Sequence, residues 1–213
     1  MHRLTRSSQP PVCLANYHHG RNHWKQITPA EKDEIWQKLE QMQQHRCAYC
    51  EAAISSEGEH GNRHIEHFRQ RSRYPQGTFA WSNLFGSCNR EERCGKHKDK
   101  LPPYEHHDLI KPDSEDPEAF LQFLPDGNVA PVDGLSLSDQ KRAEETIRIF
   151  NLNGSLRQIR ETMIKGYLQT AEEFADLAAQ YDESEWLPLL QAELRKIDHL
   201  PFATAIKQTL LPN

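Results

Sequence analysis

Long apolar runs are absent from this chain of 213 residues, in which hydrophobic residues make up 36% and the mean hydropathy is −0.85. No run approaches the roughly 20 apolar residues that a membrane-spanning helix requires. Met1 to Arg6 also lack the apolar stretch of a secretory signal peptide. We therefore expect a cytoplasmic protein. Because its core contains few apolar residues, it would gain stability from a cross-link in addition to apolar burial.

Cysteine is scarce and odd in number, with five residues at positions 13, 47, 50, 88 and 94. An odd count in clustered spacing argues against a disulfide framework. The CxxC at Cys47 and Cys50 and the wider pair at Cys88 and Cys94 instead predict two knuckles around one structural Zn²⁺. The alternative is four ordinary buried thiols. Because four thiolates fill a tetrahedral zinc site, the chemistry of the protein must lie elsewhere.

The net charge of −5 is unpromising for a chain that binds nucleic acid by itself. The charge is unevenly distributed, however. Residues 59–100 contain nine Lys and Arg against five Asp and Glu, a balance of +4 that leaves −9 for the rest. The basic residues are either a solvated face or contacts to backbone phosphates. We favour phosphate contact, and the candidates are Arg69, Arg71, Arg73, Arg90, Lys96 and Lys98.

Composition divides the chain into four segments. The first is an N-terminal arm and helix (1–46), whose helix begins at Pro29, after Thr28 as N-cap, and ends near Arg46. A core rich in Cys, His, Arg and Asn (47–100) comes next. A proline-rich connector (101–137) follows, with a hairpin turn predicted at 126–128. The last segment (138–213) is helical.

In this last segment the apolar spacing predicts four helices. The first is capped by Ser138 or Asp139, the second runs from Ser155 to Tyr181, and the others cover about 186–197 and 202–211. The number of leucines near the C-terminus predicts that part of the segment docks a partner. The fold class is therefore α+β, a small zinc-clamped core with a mainly α-helical C-terminal lobe.

An acid, an imidazole and an amide stand between the two cysteine pairs, at Glu66, His67 and Asn83. Hydrolysis of a phosphodiester needs an activated water and a cation at the phosphate. Histidine can take the proton of the water near neutral pH, and a carboxylate can hold a hard divalent ion. Two short strands and a helix clamped by zinc would bring these groups together.

Five strings carry a more specific resemblance: Cys47-Ala48-Tyr49-Cys50-Glu51, Ile65-Glu66-His67-Phe68, Trp81-Ser82-Asn83-Leu84, Ser87-Cys88 and Cys94-Gly95-Lys96-His97-Lys98. They resemble the HNH (ββα-metal) endonucleases. More narrowly, they are similar to the PtuB family, the HNH subunits of Septu anti-phage systems and of retron systems with Septu-like effectors. The resemblance covers roughly residues 47–100, and the arm with Trp24 ahead of a helix also looks like that family.

This resemblance implies a role for each of three residues. His67 would be the general base. Glu66 would be a ligand of a catalytic Mg²⁺ or Mn²⁺, at a position where many HNH enzymes have Asp. Asn83 would be the middle Asn, which fixes the loop and orients the histidine.

The third position of the motif departs from the family. Gly95 stands where His or Asn usually follows the last cysteine. His97 or Asn89 would then supply the remaining ligand of the catalytic ion. His64 lies two residues before Glu66, so on a strand both side chains point the same way and His64 would assist the metal.

The resemblance implies an endonuclease that hydrolyses DNA, or alternatively RNA, as the effector of a defence complex. Its implied partners are a PtuA-like ATPase and, in retrons, a reverse transcriptase with its reverse-transcribed DNA. Gly95 motivates the alternative of a catalytically inactive HNH-like zinc module that binds nucleic acid or protein as an adaptor. A zinc-ribbon scaffold with no nucleic-acid role is a further alternative.

Overall fold

The computed structural model describes residues 1–55 and 62–211, so residues 56–61 of the predicted core and residues 212–213 lie outside the described residues. Its strands are β1 (Arg63–His67), β2 (Leu84–Cys88), β3 (Leu121–Phe123) and β4 (Val129–Pro131). Its helices are α1 (Pro29–Gln43), α2 (Cys94–Lys100), α3 (Leu137–Ile149), α4 (Arg157–Lys165), α5 (Leu168–Gln180), α6 (Glu183–Ile197) and α7 (Ala203–Leu210). Short 3₁₀ turns lie at Val12–Asn16, Trp24–Gln26, Pro75–Gly77, Trp81–Asn83, His106–Asp108 and Pro117–Ala119.

Strands β1 and β2 form an antiparallel pair in which His67 lies opposite Leu84. Helix α1 packs on this pair and begins at a capping box, where Thr28 and Glu31 satisfy each other's backbone N–H groups. At the other end of α1 the buried amide of Gln43 donates to the carbonyl of Gly86 and accepts from its N–H. A Cβ on Gly86 would lie 2.8 Å from Trp36, so the close approach of α1 to β2 requires glycine.

The main core joins elements from distant parts of the sequence. The ring of Tyr49, in the CxxC turn, stacks on Phe150 at the end of α3, with ring centroids 3.9 Å apart. Phe202 and Ala205, near the C-terminus, belong to the same buried cluster. The contacts of α3 and α7 therefore cross the boundary predicted at residue 138.

A second, smaller cluster lies among the C-terminal helices, where Leu190, Ile197 and Ile206 are buried. Helix α7 connects the two clusters, because it also packs on β3, where Gln208 accepts a hydrogen bond from the Phe123 N–H at 2.8 Å. Within the described part of the chain, no helix has the length and apolarity to cross a membrane.

Most of the predicted elements are confirmed. The hairpin turn at 126–128 joins β3 to β4, and the α1 cap is Thr28 as predicted. Two details of the C-terminal segment were wrong. The cap of α3 is Ser136, whose hydroxyl accepts from the Asp139 N–H. The long helix predicted from Ser155 to Tyr181 is broken between α4 and α5, at Gly166 and Tyr167.

Candidate functional site

Four buried thiols form a compact cluster of potential metal ligands. The sulfur atoms of Cys47, Cys50, Cys88 and Cys94 all lie within 4.8 Å of one another, and the Cys50 and Cys88 sulfurs are 4.0 Å apart. A tetrahedral zinc ion with bonds of about 2.3 Å would place its sulfur ligands about 3.8 Å apart. The cluster therefore fits a metal such as zinc.

Local structure explains how the cysteines come together. Cys47 and Cys50 lie in a turn whose base is closed by the Arg46–Ala53 bridge. Cys88 ends β2, and Cys94 opens α2 with a left-handed φ of 52°. That unusual backbone is held by the Cys94 N–H, which donates to the Phe150 carbonyl at 2.9 Å.

Next to the cysteines, the carboxylate of Glu66 is buried between Lys98 and His64. One oxygen lies 2.6 Å from the ammonium of Lys98, and the other lies 3.0 Å from Nε2 of His64. Lys98 is fully buried and its ammonium also contacts Asp99 at 2.6 Å. Burial alone would raise the pKa of Glu66, but Lys98 and His64 outweigh burial and lower it to about 2.

The same carboxylate explains why glycine stands at position 95. A Cβ on Gly95 would lie 2.2 Å from Oε2 of Glu66 and 2.8 Å from its Cγ. The Glu66 side chain therefore occupies the space that a side chain at position 95 would need. The long acid at 66 and the glycine at 95 form a matched pair.

His67 ends β1 with its ring almost fully buried. Its Nε2 donates to the Thr78 carbonyl at 2.9 Å, which leaves Nδ1 as the nitrogen with the free lone pair. The ring of Trp24 meets it edge to face, with centroids 4.5 Å apart. Burial lowers the pKa of His67 to about 4, against the opposing effect of the Thr78 hydrogen bond, so the imidazole is neutral at pH 7.

Asn83 joins the end of β1 to the loop that follows. Its Oδ1 accepts from the Arg69 N–H at 2.8 Å, and its Nδ2 donates to the carbonyls of Arg69 and Gly77. Its own carbonyl accepts from the Phe68 N–H. These bonds hold the loop that carries Thr78, and through it the ring of His67.

The residues predicted to bind a catalytic ion are only partly brought together. His64 and Glu66 are in contact, but Nδ1 of His97 is bonded to the Ile149 carbonyl and Asn89 lies exposed on the surface. Across residues 1–55 and 62–211, the four cysteines are the one group of three or more His, Cys, Asp and Glu side chains close enough to share a metal. The candidate set for Mg²⁺ or Mn²⁺ does not fit an ion in this arrangement, because Lys98 and His64 engage Glu66.

No protein-family model matches the sequence. A protein of Bacillus thuringiensis, the Septu protein PtuB, is 25% identical over 159 residues, which cover 70% of this chain and 56% of that protein. This chain is similar to a PtuB. The resemblance to PtuB expected from the motifs is thereby confirmed, and the match spans little more than half the length of the relative.

The basic residues that we predict to contact phosphates do not all lie on one exposed surface. Arg71 and Arg90 are exposed, and Arg73 is exposed with a bond to the Tyr104 carbonyl. Arg69 lies over the ring of Tyr74, and Lys96 lies 4.0 Å from Glu91. Lys98 does not share this surface, because its ammonium is buried against Glu66.

Two features of the site gave only a weak signal in the sequence. The ion pair between Lys98 and Glu66 depends on how α2 packs against the β1–β2 pair. In the sequence alone, a lysine in a basic segment is expected on the surface. Trp24 belongs to an arm without periodicity, so its contact with His67 was not foreseeable. A tryptophan among histidines and a lysine, in a stretch without acids, was the one available sign.

Proposed function

We propose that this chain is an HNH-type nuclease that hydrolyses phosphodiester bonds as part of an anti-phage defence system. The observation that carries the proposal is the state of His67, a neutral imidazole held by Thr78 with Nδ1 free to accept a proton. The order of strand, strand and helix beside a four-cysteine site supports the HNH assignment. The similarity to a Septu protein supports the defence role.

In the proposed reaction, Nδ1 of His67 takes a proton from a water molecule, and the oxygen of that water forms a bond to phosphorus. The bond from phosphorus to the 3′ oxygen of the preceding sugar breaks, and that oxygen leaves. Asn83 acts as a positioning residue, because it holds the loop whose Thr78 carbonyl orients the imidazole. Exposed Arg71 and Arg90 would contact backbone phosphates.

A divalent ion, when bound, would stabilise the charge on the departing oxygen. Glu66 and His64 are the nearest candidates to hold it, but Lys98 and His64 engage the Glu66 carboxylate, so no step is assigned to an ion. Reactions with Mg²⁺, with Mn²⁺ and with EDTA test whether cleavage depends on one.

The proposed partner is a PtuA-like ATPase, as the PtuB resemblance implies, and in a retron setting the reverse transcriptase with its reverse-transcribed DNA. The acidic balance outside residues 59–100 supports delegation of part of the nucleic-acid binding to such partners. The C-terminal helices are the proposed docking region, and Leu189 and Tyr181 are more than half exposed there.

The test is cleavage of plasmid, single-stranded DNA and RNA by the purified protein, with and without the co-expressed ATPase. Each reaction is run with Mg²⁺, with Mn²⁺ and with EDTA, and zinc content is measured afterwards so that loss of the fold is recognised. We expect His67→Ala to lower the rate by about 10²- to 10⁴-fold. His107→Ala, which changes an exposed histidine in the connector, should cut like the wild type.

One observation favours the second candidate, an HNH-like module without catalytic activity that acts as an adaptor. The ammonium of Lys98 neutralises the carboxylate that would otherwise bind a cation. A folded, zinc-loaded protein that binds nucleic acid but cuts none of these substrates, alone or with the ATPase, would establish this candidate and exclude the nuclease.

A further inference from the structure

Two surface cavities meet at Trp24, the residue whose ring packs against His67. The larger, of about 590 Å³, lies between the N-terminal arm and the loop after β1, and its basic and aromatic lining comes from His19, His23, Trp24, Lys25 and Arg71. The smaller, of about 280 Å³, lies beyond Trp24 and is lined by Lys32, Trp36, Arg63, His64 and Ile65. Trp24 lines both, so the two cavities adjoin at this residue, and together they are called the path below.

The walls of this path are basic, although the protein as a whole is acidic. Among the described residues that line the two cavities there is no Asp or Glu. The first acid of the chain is Glu31, so the arm before it carries basic residues without a carboxylate of its own. Arg63 is paired with Glu40, but Lys25 and Arg71 are exposed at the larger cavity.

The position of Trp24 gives the path an aromatic surface at its centre. The indole is held from behind by Phe79, with ring centroids 6.2 Å apart, and lies edge to face with His67. It is nevertheless only partly buried. A partly exposed indole among cationic side chains is the combination that stacks bases and binds phosphates of single strands.

We propose that the N-terminal arm and the loop after β1 form a binding path for single-stranded nucleic acid, with Trp24 as its stacking platform. This inference rests on the proposed nuclease function and names its substrate class. Stacking on Trp24 would place the adjoining phosphate beside His67, because the two rings are in contact. A base inside a duplex is already stacked between its neighbours, so the path favours unpaired strands.

The experiment measures the binding of short fluorescent DNA and RNA strands, single and double, by anisotropy, with strand integrity checked on gels. Trp24→Leu should weaken single-strand binding about tenfold or more, while Trp24→Phe keeps most of it. Lys25→Glu with Arg71→Glu should weaken binding and flatten its dependence on salt. Lys165→Glu with Lys196→Glu, at two exposed lysines that line neither cavity, is the matched charge control and should bind like the wild type.

Zinc content and circular dichroism show whether each variant is folded. If Trp24→Leu is folded and binds single strands as the wild type does, or if duplexes bind as tightly as single strands, the inference is overturned. Strands that bind through Trp24 but are never cut would contradict the nuclease and leave the path standing. Strands that are cut equally by the wild type and both Trp24 variants would contradict the path and leave the nuclease standing. A preference for DNA or for RNA strands identifies which of the two nucleic acids the path binds.

Discussion

At the scale of single residues, the close approach of Glu66 to Gly95 links the residue types at these two positions. The space that a side chain at 95 would occupy holds a carboxylate instead, and that carboxylate is fixed by Lys98. A close-packed interior transmits such an exchange from one position to the next. The glycine at position 95 is therefore coupled to the length of the acid at position 66.

Gly95→Ala tests this coupling. Its Cβ would lie 2.2 Å from Oε2 of Glu66, so the carboxylate must move away from Lys98. We expect a loss of about 1–3 kcal/mol in the free energy of unfolding, measured with urea. Gly166→Ala is the control, since its Cβ meets nothing closer than 3.4 Å, and it should be neutral or slightly stabilising. Equal stability of the two variants would contradict the coupling.

Lys98→Met tests the buried ion pair. It leaves the Glu66 carboxylate without its ammonium partner, which should cost about 3–5 kcal/mol in the free energy of unfolding. The double variant Lys98→Met with Glu66→Gln should regain much of that loss, because no charge is left unpaired. A double variant that is no more stable than the single one would show that Lys98 acts by packing alone.

The pH dependence of the same pair has a defined sign. In the wild type the folded pKa of Glu66 is about 2, below its ordinary value of 4.5. Its contribution to stability is therefore complete above pH 4.5 and is lost as the pH falls towards 2. In Lys98→Met the buried acid gains from protonation, so the deficit relative to the wild type should narrow as the pH is lowered from 7. Urea unfolding at several pH values measures this.

The sequence indicated the types of residue in the site but not their pairing. Cysteine spacing was sufficient for the zinc cluster, because four thiols have few alternative uses in a polar segment. The partners of Glu66 and His67 could not be read in the same way. They depend on how α2 and the arm cross the strands, and on a carbonyl at Thr78, which any residue could supply.

At the scale of elements, the cysteine cluster joins the turn after α1, the end of β2 and the start of α2. None of these is long enough to be stable by itself, since β1 and β2 have five residues each and α2 has seven. We therefore expect the metal to be part of the folding energy.

Cys47→Ser should abolish stoichiometric zinc binding and unfold the core, as measured by metal analysis and circular dichroism. Cys13→Ser is the matched control, because this cysteine lies outside the cluster and should leave the zinc in place. Burial raises the pKa of Cys13 to about 12, and the carboxylate of Glu34 adds to the effect, so its thiol should also resist alkylation in the folded protein. Loss of zinc from Cys13→Ser would contradict the assignment of ligands.

Prediction of the elements succeeded where caps and periodicity agreed, as in α1, and failed where periodicity continued across a break. The apolar stripe from Leu156 onward runs through Gly166 and Tyr167, where the chain turns between α4 and α5. Ile159 and Tyr181, on that stripe, are about half exposed. A repeat of apolar residues gives the face of a helix but not the point at which packing ends it.

At the scale of the whole molecule, the last helix contacts the turn that carries the first two cysteines. Glu51, next to Cys50, accepts from the Thr204 N–H at 3.0 Å and its carbonyl accepts from the Phe202 N–H. The same carboxylate lies 2.6 Å from the amino group of Met1. Distant parts of the chain thus converge on the residue that follows the CxxC.

Phe202→Ala should therefore affect the zinc site although it lies far along the chain. The loss of this buried ring should cost about 3–5 kcal/mol in the free energy of unfolding and speed the release of zinc to a chelator. Leu137→Ala, at a side chain that is 88% exposed, should change neither quantity. If Phe202→Ala releases zinc at the rate of the wild type, α7 packs on the core without stabilising the metal site.

The bond between Glu51 and Thr204 also sets the timing of maturation during synthesis. The two residues are 153 positions apart. At a translation rate of about 5–20 residues per second, the second partner is made roughly 8 to 30 s after the first. Through that interval the cysteine turn lacks the helix that contacts Glu51. The core around the cysteines can therefore be completed only when the chain is almost finished.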